Sequence, residues 1–143
     1  MSVVESKRAK GKMRVITKAH ELAEHTIRIC GNEKNFPKRY RWCLTSKIVD
    51  SAVNINSCLE KANSIRVKTE YDYQLRRGYM QQALAESFSL HNLIRLSYDI
   101  FGLDGDKVCY WILLLRDTIN LIRGWIKSEA NYRVSTEDRV GSG

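Results

Sequence analysis

The chain has 143 residues, 43% hydrophobic and 28% charged, with one proline and eight glycines. That length suits one domain of about 100–150 residues, and so little proline and glycine excludes a collagenous or low-complexity chain. The longest uncharged apolar run, Val108–Leu115, is eight residues, far short of the roughly 20 that span a bilayer. No apolar segment follows the basic N-terminus, so neither a transmembrane helix nor a secretory signal is expected. A reducing cytoplasm is the expected setting. The four cysteines, at 30, 43, 58 and 109, form no Cys-x-x-Cys pair, which favours buried thiols over disulfides or zinc ligands.

The net charge of +8 is lopsided: residues 1–41 carry eleven basic and four acidic groups, +7, and residues 42–143 carry +1. A basic end on a nearly neutral body suits an anionic partner such as nucleic acid, a membrane surface or an acidic protein. The plainer alternative is a solvated tail. Residues 1–12, with Ser-Lys-Arg-Ala-Lys-Gly-Lys and no apolar period, are expected as a disordered basic arm.

Four segments between residues 13 and 133 keep a helical period and none keeps a strand period. The first, about 13–30, places Met13, Ile16, His20, Ala23, Ile27 and Cys30 on one face, with Gly31 as a left-handed terminator. The second, about 37–62, opens with Pro37 as its first helical residue. It buries Leu44, Ile48, Ser51, Ile55, Cys58 and Ala62, over about 39 Å. The third, about 69–101, starts on a Thr69-x-x-Asp72 capping box. Its stripe is Met80, Ala83, Ser87, Leu90, Ile94, Ser97 and Phe101, ended by Gly102. The fourth, about 106–130, follows the turn Leu103-Asp104-Gly105. It carries two adjacent stripes, one of Val108, Ile112, Leu115, Ile119, Ile122 and Ile126, the other of Trp111, Leu114, Leu121 and Trp125. The fold expected is all-α, an antiparallel four-helix bundle. Residues 134–143 are expected as a flexible tail, and the terminal Gly-Ser-Gly is assigned no function.

Val108–Leu115 is apolar all round the helix, so its outer side needs a cover. Self-association is the simplest one, with Trp111, Leu114 and Trp125 as candidate interface residues. A loop folding over the segment is the competing reading.

No reaction chemistry is legible. His20, Glu24 and His25 lack the Glu-x-x-His pairing of a di-iron bundle. A core or interfacial His20 and a solvated His25 are expected, and no metal or cofactor. The cysteines lie on or beside apolar stripes with no visible base. There is no G-x-S-x-G, Walker A or G-x-G-x-x-G, and the acids are scattered singly. An enzyme is not expected.

The basic groups carry more. Candidate nucleic-acid-binding residues are Lys7, Arg8, Lys10, Lys12 and Arg14 at the arm, and Lys38, Arg39 and Arg41 after Pro37. Arg66 and Lys68 lie in the second connection, and Arg76, Arg77 and Arg95 on the third helix. Arg116, Arg123 and Lys127 form a stripe with Asn120 on the fourth. Cations opening a helix oppose its dipole by about 0.3–1 kcal/mol each, which a phosphate partner would offset. Tyr40 and Trp42 either stack on bases or pack in the core.

The stretch Asn35-Phe36-Pro37-Lys38-Arg39-Tyr40-Arg41-Trp42-Cys43-Leu44 is followed by Ala62-Asn63. Further on come Leu93-Ile94-Arg95-Leu96 and Ile119-Asn120-Leu121-Ile122-Arg123-Gly124-Trp125-Ile126-Lys127. In that order, over residues 14–130, they resemble the accessory variability determinant proteins of diversity-generating retroelements. That four-helix-bundle family also takes in proteins of 23S rRNA intervening sequences. The chain departs from the family in having Asn120 where glycine is common, and a longer basic arm. The resemblance implies a non-enzymatic partner of the element's reverse transcriptase that also associates with RNA, and with the cDNA made from it. It implies a ring-like homopentamer with a basic surface that supports mutagenic cDNA synthesis. Lys38, Arg41, Arg95 and Arg123 match the family's basic positions, although Arg41 and Arg123 are equally suited to ion pairs within a bundle. The alternative is a bundle of the intervening-sequence type, an oligomer with no reverse transcriptase partner. A membrane-surface protein using the basic arm is a third reading; no membrane partner is expected.

Overall fold

The computed structural model describes residues 3–141, with side chains for residues 10–131. Among the described residues there are four α-helices and no strands: α1 (Val3–Gly31), α2 (Ser46–Ser64), α3 (Glu70–Phe101) and α4 (Gly105–Gly141). They pack as a four-helix bundle, and none is long and apolar enough to cross a membrane.

The stripes of α2, α3 and α4 turn inward over most of their length. Phe101, Val108, Ile112, Leu121 and Ile126 are half-buried, and on α2 the buried residue is Leu59 rather than half-buried Cys58. Ile48, Ile55, Leu59, Leu90, Ile94, Leu115 and Ile122 are fully buried, each contributing about 1.5–3 kcal/mol by leaving water. Small residues bring α2 and α3 together. Ala83 and Ser87 are buried, Ser87 returns its hydroxyl to the Ala83 carbonyl at 2.7 Å, and Ser51 donates across to the Glu86 carbonyl at 3.2 Å. On α1 the expected face holds at Ala23 and Cys30, which are buried, but is offset elsewhere. Val15, Ala19, Leu22, Thr26 and Ile29 are buried, whereas Met13 and Ile27 are exposed. The cause is Thr26, a polar residue on the core side. It donates to the Leu22 carbonyl at 2.8 Å and accepts the Trp111 indole N–H at 3.0 Å.

The helix ends bear out two expectations and correct others. Thr69 and Asp72 form the capping box in both directions, and Gly102 is left-handed at φ 64°. Gly31 is not left-handed. Asn32 instead turns the chain, its side chain accepting the Lys34 N–H at 3.0 Å and its carbonyl those of Asn35 and Phe36. The second helix is shorter than expected. Pro37 precedes a 3-10 turn, Lys38–Tyr40, and a π-turn, Arg41–Thr45, before α2 begins at Ser46. Lys38, Arg39 and Arg41 therefore lie ahead of that helix, not in its first turn, and the argument from opposed dipoles lapses. The expected disordered arm and flexible tail are helical over residues 3–12 and 134–141. Extending a formed helix adds one hydrogen bond per residue and needs no new nucleus. Residues 142 and 143 lie outside the described residues.

Two side-chain clusters mark the ends of the bundle. At one, Phe36 meets Phe101 and Trp111 edge-on at 5.3 and 6.0 Å, and Tyr40 stacks on Phe101 at 5.0 Å. At the other, Arg76 donates to Glu129 at 2.8 Å, to the Ala62 carbonyl at 3.2 Å and to the Ile65 carbonyl.

Candidate nucleic-acid interface

Three residues expected at an oligomer interface belong to the protomer core. Trp111 is fully buried, and Leu114 and Trp125 are 5% exposed. The indoles of Trp111 and Trp125 are bonded to Thr26 and Glu129 within the chain. The outer side of the apolar segment is formed instead by Tyr110 and Leu113, which are 55% and 49% exposed.

The basic candidates divide. Arg76 is a correction: at 7% exposure it is enclosed by the α2–α3 connection and Glu129, so no strand can reach it. Arg77 is half-buried and donates to the Tyr73 hydroxyl at 3.3 Å. Lys38 is exposed but lies 3.5 Å from Glu33. Arg39 and Arg41 are exposed, the former 5.0 Å over the Tyr40 ring. Lys10, Arg14, Arg66, Lys68, Arg95, Arg116, Arg123 and Lys127 are exposed, and Lys12 is half-buried. Lys7 and Arg8 lie outside the residues whose side chains are described.

Sequence spacing places Arg116, Asn120 and Arg123 on one face of α4, and the structure adds what they face. Phe88 and His91, three apart on α3, close the opposite side of a cleft whose remaining wall is Ile112 and Ile119. The cleft has a volume of about 290 Å³ and no carboxylate in its lining. Arg123 lies 5.3 Å over the face of Phe88, an attraction between a cation and a ring quadrupole that holds the guanidinium over the opening. Arg95 follows His91 by one helical turn. Phe88 went unassigned because it lies off the apolar stripe of α3, and it is 48% exposed. The signal was its place one residue beyond Ser87 on the stripe.

The second exposed cluster is the turn before α2. Of its two aromatic residues, Tyr40 is the packed one and Trp42 is 80% exposed, beside Arg41. π-turns recur at functional sites, and a solvated indole among cations is the surface on which an unstacked base can rest.

The histidines and cysteines are placed differently from the expectation. His20 is exposed and bonded to Glu24 at 2.7 Å, and His25 is half-buried against Tyr110 at 5.0 Å, the reverse of their expected settings. Burial, then the Arg28 charge, holds the His25 pKa below its usual value. Among the described residues no group of three potential ligands could hold a metal ion. Cys30 is buried and its pKa is pushed up to about 12 by that burial, and burial raises half-buried Cys58 as well. Cys43 and Cys109 are exposed rather than buried. Set against known proteins, the chain matches no family model, no curated protein and no solved structure.

Proposed function

We propose that the protein is the non-enzymatic accessory subunit of a diversity-generating retroelement. It binds the element's reverse transcriptase and template RNA through its basic surface and supports mutagenic cDNA synthesis in the cytoplasm. The observation that carries the reading is the cationic lining of the α3–α4 cleft, where Arg116 and Arg123 have no carboxylate beside them in the lining. The order of motifs from Phe36-Pro37-Lys38 to Gly124-Trp125-Ile126 supplies the retroelement half of it. The protomer is an antiparallel bundle in this reading, assembling as a ring-like homopentamer. Tyr110 and Leu113, apolar and exposed on α4, are the residues that contact between copies would cover.

The test is reconstitution. Purified protein is added to the reverse transcriptase encoded beside its gene and the element's template RNA, and cDNA is measured with and without it. Synthesis that depends on the protein, and that falls when Arg116 and Arg123 are changed to Ala, supports the proposal. Stable oligomers that neither bind the enzyme nor alter synthesis point to the intervening-sequence type of bundle. Light scattering of Leu113→Lys tests the assembly: a drop to protomer mass with helicity intact is expected.

A further inference from the structure

The α3–α4 cleft combines features that a phosphate-only contact does not need. Its lining joins an apolar part, Ile112, Ile119 and the half-exposed ring of Phe88, to the cations Arg116 and Arg123, with Asn120 and His91 beside them. Asn120 sits between Arg116 and Arg123, one turn from each, and its carboxamide has no hydrogen-bond partner among the described residues. Its donor and acceptor are therefore available to a ligand. The volume, about 290 Å³, lies at the small end of ligand pockets, which run roughly 300–1,000 Å³. A ligand that satisfies all three features is small, flat and apolar on one part, anionic on another, and carries a polar edge.

A nucleotide has that composition, but only in one state. In a duplex the bases are stacked and paired, so the phosphates meet the cations while the apolar wall stays empty. In a single strand a base can leave the stack, seat against an aromatic or aliphatic surface and present its edge. We infer that the α3–α4 cleft is a seat for one unstacked nucleotide of a single strand. The base lies against Phe88 and the Ile112–Ile119 wall, Asn120 bonds its edge, and Arg116 and Arg123 hold the adjoining phosphates. The inference rests on the nucleic-acid reading above and adds to it a preference for single strands over duplexes. Arg123 already covers one face of Phe88 at 5.3 Å, so the base meets the part of the ring that stays exposed.

The test compares a short fluorescein-labelled oligouridylate with an RNA duplex of equal length, by anisotropy over a salt series, on the full chain. Phe88→Ala removes the platform and no charge. It is expected to weaken single-strand binding about 5- to 150-fold, the range for losing one base stack. Duplex affinity and salt slope should stay unchanged, and Phe88→Trp should restore the single-strand affinity. Arg116→Ala with Arg123→Ala should weaken both probes and flatten the single-strand slope by about 1.4. Helicity by circular dichroism shows that each variant is folded. If Phe88→Ala leaves the ratio of the two affinities where it was, the cleft is not the seat, while the basic surface stands. If Phe88→Ala instead changes the assembly mass and leaves RNA binding intact, the cleft lies between copies and the inference is overturned. If the unaltered protein binds neither probe, the nucleic-acid reading fails and takes the inference with it.

Discussion

Arg76 on α3 and Glu129 on α4 form an ion pair of 2.8 Å with both side chains less than a tenth exposed. Neither charge is left to water. The Arg76 guanidinium also binds two carbonyls at the end of α2, and Glu129 also accepts the Trp125 indole N–H at 3.2 Å. Removing one partner strands the other, so Arg76→Ala should cost about 3–5 kcal/mol. Replacing both with Met should cost much less, because no charge is left buried. Urea denaturation of the single and double variants measures the difference, and equal losses would contradict it.

Trp111→Ala should destabilise the protomer by about 3–5 kcal/mol. It vacates a site packed against Phe36 and leaves Thr26 without its indole donor. The expected result is earlier loss of helical circular dichroism on heating. Dissociation of folded protomers would instead place Trp111 at a contact between copies.

Two groups tie stability to acid in separate windows. His25 has a depressed pKa, chiefly from burial, so the folded state holds fewer protons than the unfolded one below the usual histidine value of about 6.5. Its contribution is full at neutral pH and lost as pH falls below that value. His25→Gln should flatten that limb. Asp72 is depressed first by the Lys68 amide, then by Thr69. Its contribution is present above about pH 4 and fades as pH falls through its lowered pKa. Asp72→Asn should remove that second limb, and Thr69→Ala should cost about 1 kcal/mol at all pH values where the cap forms. Urea midpoints between neutral and acid pH separate the two.

The thiols should report the packing directly. Under a brief maleimide pulse on the native protein, exposed Cys43 and Cys109 should label first. Cys58, half-buried and raised in pKa, should follow slowly. Cys30, at a pKa of about 12, should label only on unfolding, since the thiolate is the reactive form. Peptide mass spectrometry after the pulse gives the order.

Much of the fold was legible because α2, α3 and α4 keep their apolar period from Ile48 to Ala62, Met80 to Ser97 and Leu115 to Ile122. α1 was misread where a buried hydroxyl, Thr26, stands in for an apolar residue, and hydropathy cannot see that its partner is Trp111, 85 positions away. The same blindness placed Arg76 on the surface: its partner Glu129 is 53 positions distant. The apolar girth of residues 108–115 was read as a need for partners outside the chain. Within the chain Trp111, Leu114 and Leu115 are buried, whereas Cys109, Tyr110 and Leu113 stay exposed. Of the cleft, the α4 half was visible as a stripe. On α3, Phe88 was not, because an exposed Phe88 and a buried Leu90 look alike in sequence.

The three tryptophans occupy two different solvents. Trp42 stands 80% exposed at the turn before α2, whereas Trp111 and Trp125 are enclosed and their indole N–H groups occupied. The chain thus has two optical channels with no added label. Emission from Trp42 should be red-shifted and open to iodide quenching, so it should follow events at the basic turn. Emission from the enclosed pair should be blue-shifted and shielded, so it should follow the integrity of the bundle. One titration therefore distinguishes a ligand that covers the turn from one that loosens the fold.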